Sequence, residues 1–96
     1  VETGSFTANA APFSGKRIRL NARTTRAGSV EVELRERGKP LPGYSFQDSL
    51  PFQGDEVWAD LRWKDKAQEN LGKLKGKWLE LAFRLRSAKV FAVRFD

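Results

Sequence analysis

Two stretches of this chain alternate apolar and polar residues with a period of two. That period fits one backbone conformation, a strand with one buried and one wet face. Ile18, Leu20 and Ala22 alternate with Arg17, Arg19, Asn21 and Arg23; after a break at residues 24–28, Val30, Val32 and Leu34 alternate with Glu31, Glu33 and Arg35. From position 78, Leu79, Leu81, Phe83 and Leu85 alternate with Trp78, Glu80, Ala82 and Arg84, and Phe91, Val93 and Phe95 continue the inward row. The break at 24–28 has the length of a hairpin loop, with Gly28 free to take positive φ. Residues 87–89, Ser-Ala-Lys, read as a last hairpin. Pairing 16–23 with 29–37 would set Arg17, Arg19 and Arg23 against Glu31 and Glu33, and opposite charges across strands contribute roughly 0.2–1 kcal/mol per pair.

The remaining segments support the same class. Phe6 and Phe13 stand among small residues before the Pro12 and Gly15 punctuation, as a short first strand and turn. Gly38-Lys39-Pro40 reads as a turn, and 41–46, interrupted by Pro42 and Gly43, as edge strand or ordered loop. Between 56 and 64, Val57, Ala59, Leu61 and Trp63 take one side and Glu56, Trp58, Asp60, Arg62 and Lys64 the other. Residues 65–75 alone have helical composition, and Gly72 and Gly76 limit them to about one turn. Short strands with turn signals at intervals of about ten residues predict an all-β chain. The expected architecture is an antiparallel β-sandwich, jelly-roll-like, of about six to eight strands in a single domain over residues 1–96.

The 96 residues suffice for one core. The chain contains neither His nor Cys. That excludes Ser-His-Asp and Cys-His catalysis and ordinary zinc or copper sites, leaving only oxygen ligands for a hard cation. No window approaches the ~18 apolar residues of a membrane span. The chain opens on Val-Glu-Thr-Gly without a basic start or apolar run, which fits an excised domain or a mature product. Lys and Arg number 18 against 12 Asp and Glu, a net charge of +6 compatible with nucleic acid or an acidic polysaccharide. These basic residues are scattered singly along alternating strands, so much of the charge reads as a solvated face.

In order along nearly the whole chain run LNA, GSVEVELRERGKPLPGYSFQDS, GDEVWADLRW and LKGKWLELAFRLRSAKVFAVRF. This pattern resembles the small C-terminal β-sandwich that follows the β-propeller in bacterial glycoside-hydrolase-like and sialidase-like proteins. The matching positions are turn glycines and core residues. The resemblance implies an accessory domain, with the chemistry on the propeller, and an extracellular or periplasmic setting. Trp58 and Trp78 depart from the pattern, which carries a polar residue at the first position and a small residue or proline at the second.

Those two tryptophans are the candidate ligand-binding residues, with Arg62 and Arg84 as their polar partners. An indole offers a flat apolar platform for the C–H face of a sugar, and an outward tryptophan exposes apolar area unless something covers it. The arginines would supply donors for hydroxyl, carboxylate or sulfate groups. The competing reading is that a loop or a partner domain buries both rings. Asp48, Asp55, Glu56 and Asp60 could form a glycosidase pair, or Asp48 with loop carbonyls a calcium site; both are set aside in favour of caps and solubility groups, and Asp48 lacks the ligand spacing of a calcium loop. Trp63 is expected in the core, and Tyr44 and Phe46 as loop anchors ahead of a binding rim.

The expected function is a non-catalytic carbohydrate-binding accessory module of a secreted polysaccharide-active enzyme. It would need no cofactor or metal, and its partners would be a polysaccharide, an acidic one by charge, and the parent catalytic domain in cis. The first alternative is a structural domain packed on that propeller. The second is a basic β-barrel binding nucleic acid.

Overall fold

The computed structural model describes residues 2–64 and 71–95. Among these, β1 (Glu2–Pro12), β2 (Ile18–Glu36), β3 (Lys39–Pro40), β4 (Asp55–Asp60) and β5 (Trp78–Phe95) form one antiparallel sheet. The order is β1-β5-β2-β3, with β4 also paired to β2. The chain is all-β, as its alternation requires. A 3-10 turn spans Leu71–Leu74, and the rest of the expected helical stretch, residues 65–70, lies outside the described residues.

Neither expected hairpin over 24–28 and 87–89 forms. β2 and β5 are each continuous through their breaks and pair with one another from Ile18↔Phe95 to Arg35↔Glu80. The two breaks meet: register passes from Thr24↔Ala88 to Ser29↔Arg86, so that residues 25–28 of β2 face Ser87 alone. A bulge of this kind bends both strands together. Pairing the two long strands buries both halves of each apolar row, whereas a hairpin within β2 would spend one row on the other and leave β5 unmatched.

Gly28 therefore acts differently from the expectation. Its φ is not among the positive ones. A Cβ there would come within 2.5 Å of the Ser87 carbonyl oxygen and 2.6 Å of that of Arg86, so the position needs a missing side chain for close backbone approach. Ser87 opposite takes φ 47, in the left-handed region.

The bend brings the ends of the ribbon back over one core. Phe13, just past β1, packs edge-on against Phe95 at the end of β5, with ring centroids 5.0 Å apart. Ile18, Leu20, Ala22, Val30, Val32, Leu34, Leu79, Leu81, Phe83 and Leu85 line this core with Phe13, Tyr44 and Trp63. Each fully buried large apolar side chain stabilises by about 1.5–3 kcal/mol. Trp63, expected inside, is 1% exposed and donates Nε1–H to the Val32 carbonyl at 3.3 Å. Tyr44 stands edge-on to it at 5.2 Å, so it is a core anchor.

The edge of β2 beyond the bend is closed by loop residues, through backbone and the Ser49 hydroxyl. Val30 and Phe52 exchange both backbone hydrogen bonds, the Val32 N–H donates to Ser49 Oγ, and the Leu34 N–H donates to the Tyr44 carbonyl. These contacts satisfy groups that an open edge would leave unpaired.

Ion pairs follow the real register and correct the expected one. Arg17 and Arg19 reach Asp60, Arg23 reaches Asp55, Glu31 takes Arg84, and Glu33 takes Arg35. Phe91, expected inward, is the unpaired residue between Ala22↔Val90 and Asn21↔Ala92; the bulge turns it out, and it is 59% exposed.

Candidate binding site at Trp58

β4 carries the residue that shapes the site. Its register with β2 passes from Leu20↔Ala59 to Ala22↔Glu56, so Val57 and Trp58 stand opposite Asn21 alone. Trp58 occupies this bulge with φ 62, a left-handed conformation that costs a non-glycine residue about 1–3 kcal/mol and persists only where its surroundings enforce it. A bulge breaks the alternation and re-aims the side chain. Trp58 is accordingly half-buried, where alternation placed it fully outward. The Arg94 guanidinium lies over its ring, 4.3 Å from the centroid. Arg94 pairs in register with Arg19, which in turn faces Asp60, so the indole is held across three strands.

Beside the ring opens a cavity of about 570 Å³, lined by Trp58, Arg19, Asp60, Arg62, Phe52 and Gln53 among others. Two anchored segments make its walls. One is the loop holding Phe52, fastened to Val30 by its two hydrogen bonds and at Gly54 to Thr24, whose Oγ1 accepts the Gly54 N–H at 2.9 Å. The other is β4 with the residues after it, where the Arg62 carbonyl accepts the Leu50 N–H at 3.0 Å. The cavity sits where these walls diverge along the bent β2. Asp60 Oδ1 accepts from Arg19 Nε at 3.1 Å, and Asp60 Oδ2 lies 3.5 Å from Arg17. Arg62 is exposed and, among the described residues, meets no carboxylate.

Of the four expected binding residues, the structure gathers Trp58 and Arg62 at one cavity. Trp78 begins β5 opposite Pro12, is 61% exposed, and borders a separate cavity of about 370 Å³ with Glu36, Arg37, Lys77 and Glu80. The two cavities share no lining residue. The turn beside Trp78 is Arg37-Gly38, both with positive φ, and the Gly38 N–H donates to Glu80 at 2.8 Å; the expected Gly38-Lys39-Pro40 turn is thus displaced by one residue. Arg84 is engaged elsewhere. Its Nε donates to Glu31 at 3.0 Å and its guanidinium covers Phe46 at 4.6 Å, which makes it a brace for the loop after Tyr44.

Arg94 and Arg19 were not among the expected site residues. Each belongs to an alternating strand whose partner lies far away in sequence, and no local signal marks either. The acidic candidates are accounted for as ion pairs and caps: Asp60 and Asp55 hold arginines, and Asp48 accepts the Ser45 hydroxyl at 2.8 Å. The side chain of Glu56 lies outside the described residues. Compared with protein-family models, curated proteins and solved structures, this chain matches none.

Proposed function

We propose that this chain is a non-catalytic carbohydrate-binding module, a jelly-roll-like β-sandwich attached to a polysaccharide-active enzyme that acts outside the cytoplasm. The bent β2–β5 ribbon and the Phe13–Phe95 contact support the sandwich, because strands that change layer do so through bends and bulges. The observation that carries the function is Trp58: a half-buried indole, held in a strained bulge under Arg94, at the wall of a 570 Å³ cavity with polar side chains around it. That volume falls in the range of about 300–1,000 Å³ typical of ligand clefts. A platform fixed beforehand binds with less loss of side-chain freedom. Since Arg94 covers one face of the ring, a sugar stacking on Trp58 uses the other. Affinity electrophoresis through gels containing neutral and acidic polysaccharides tests this reading: Trp58→Ala should abolish retention, and unchanged retention would remove the site.

A second reading rests on Trp78 and Phe91, at 61% and 59% exposure the most exposed large apolar side chains described. Exposed aromatics of this kind serve as anchors at protein interfaces. On this reading Trp78 packs against the parent catalytic domain, and Trp78→Ala weakens domain association while glycan retention persists.

A further inference from the structure

We infer that β1 is an interaction edge whose partner is β1 of a second copy of this chain; the inference goes beyond the carbohydrate reading and does not depend on it. β1 ends the strand order and, among the described residues, pairs with β5 alone. Over residues 4–8 its register is unbroken, from Gly4↔Leu85 to Ala8↔Leu81, with an irregularity on either side. Alternate residues of such a strand turn their N–H and C=O groups away from the sheet, where another strand can pair with them. Gly4, Ser5, Phe6 and Thr7 are all exposed, although β1 belongs to the sheet that carries the core. Phe6 stacks on buried Phe83 at 4.7 Å and is still 45% exposed, so an apolar row of the core face runs out to the open edge.

Two observations favour a copy of the same strand as the occupant. The first is charge. Exposed edges are commonly guarded by lysines and other charged side chains, yet residues 3–15 hold no charged side chain, the longest such run in a chain that is 31% charged. Two copies at +6 each repel one another, and along β1 they can meet without setting Lys or Arg against Lys or Arg. The second is the order of the side chains. Gly4-Ser5-Phe6-Thr7-Ala8 reads small, hydroxyl, aromatic, hydroxyl, small from either end. Antiparallel pairing about a two-fold axis at Phe6 therefore sets Phe6 on its own copy, Ser5 opposite Thr7, and Gly4 opposite Ala8. Aromatic pairs and Ser–Thr pairs are among the cross-strand pairs that stabilise a sheet. Because the same edge serves both partners, the contact closes at two copies. The irregularities beside residues 4–8 keep the ladder short, which places the dimer in the weak class of interfaces below about 1,200 Å².

The test is sedimentation equilibrium of the 96-residue chain from about 10 µM to about 1 mM, the span in which the Kd of a small interface falls. The chain should pass from monomer to dimer and stop there, and hydrogen exchange of the amides of residues 4–8 should slow as concentration rises. Raising salt from about 50 to about 500 mM should hold or strengthen the dimer, because screening relieves the repulsion of two like-charged copies. Thr7→Lys should weaken dimerisation about five- to tenfold, two cross-strand pairs being lost at once. Thr7 is exposed, so the variant keeps the fold, which its near-ultraviolet dichroism verifies. Adding Ser5→Glu to Thr7→Lys should recover most of that loss, since the register sets position 5 of one copy opposite position 7 of the other. A chain that stays monomeric at every concentration overturns the proposal, even where an unlike strand takes the edge. A dimer indifferent to Thr7→Lys overturns it as well, and so does one that dissociates as salt is raised, since such a dimer is held by ion pairs on another surface.

Discussion

Glu33 sits on the face of β2 that alternation assigns to solvent, yet it is 5% exposed. Its two carboxylate oxygens are fully used: Oε2 accepts Arg35 Nε at 2.6 Å and Oε1 accepts the Phe46 N–H at 3.2 Å. The carboxylate thereby fastens the loop after Tyr44 to the outer side of the sheet, while the Glu31–Arg84 pair steadies Phe46 from the next position. Glu33→Ala removes the acceptor and leaves the Phe46 amide and the Arg35 guanidinium without it. Leaving such groups unsatisfied costs about 1–3 kcal/mol, read as a lower urea midpoint. Glu33→Gln keeps an acceptor for the amide and should cost less. Trp58 presents the same lesson for an aromatic. Its identity as a candidate was visible in the sequence, but its bulge, its Arg94 cover and its cavity depend on register with β2, which local alternation does not encode.

At the scale of elements, the decisive feature is that β2 and β5 break at matching places. Each break read alone has the composition of a hairpin loop, and that reading failed for both. A loop-like segment stays within a strand when a partner strand bends with it, because the ladder resumes beyond the bend and the apolar rows on either side remain buried. Gly28 is the point on which this depends. Gly28→Ala drives a methyl group into two carbonyl oxygens of β5, so backbone must move apart at the bend. Forced overpacking of this kind costs about 1–3 kcal/mol. In a domain of this size each kcal/mol lowers Tm by about 4–8 °C, so calorimetry of the variant should show a clear drop. An unchanged Tm would mean that the two strands do not approach as closely as this fold requires.

At the scale of the molecule, the longest ladder of the sheet joins β2 to β5, strands far apart in the chain. Ile18 to Ala22 lie between β4 and the last residues of β5, so the first half of β2 has its core-facing row completed only when the C-terminus arrives. Deleting residues 90–96 should therefore abolish the cooperative melt of the whole chain, measured by dichroism, and a deletion that still melts cooperatively would contradict this dependence. Folding should also be slow. All-β domains dominated by distant pairings fold in about milliseconds to seconds, and stopped-flow tryptophan fluorescence should give a phase in that range; a microsecond phase would contradict the topology.

The sequence by itself determined the class and the inward rows up to the bulge that turns Phe91 outward. Period-two alternation is a property of neighbouring residues, and burial of Leu20, Val32, Leu81 and Phe83 follows from it whatever the strands pair with. It also singled out Trp58, through a residue type that an outward strand position seldom carries without cover. Only the tertiary structure decided which strand meets which. Alternation is satisfied equally by a hairpin and by a long ribbon, so the choice fell to the matching of two breaks some sixty residues apart. The same register drew Arg94 over Trp58, placed Arg62 at its cavity, and left Trp78 and Arg84 on other surfaces. Pairing between distant segments is a collective property of the folded chain, and the site exists only where that pairing puts it.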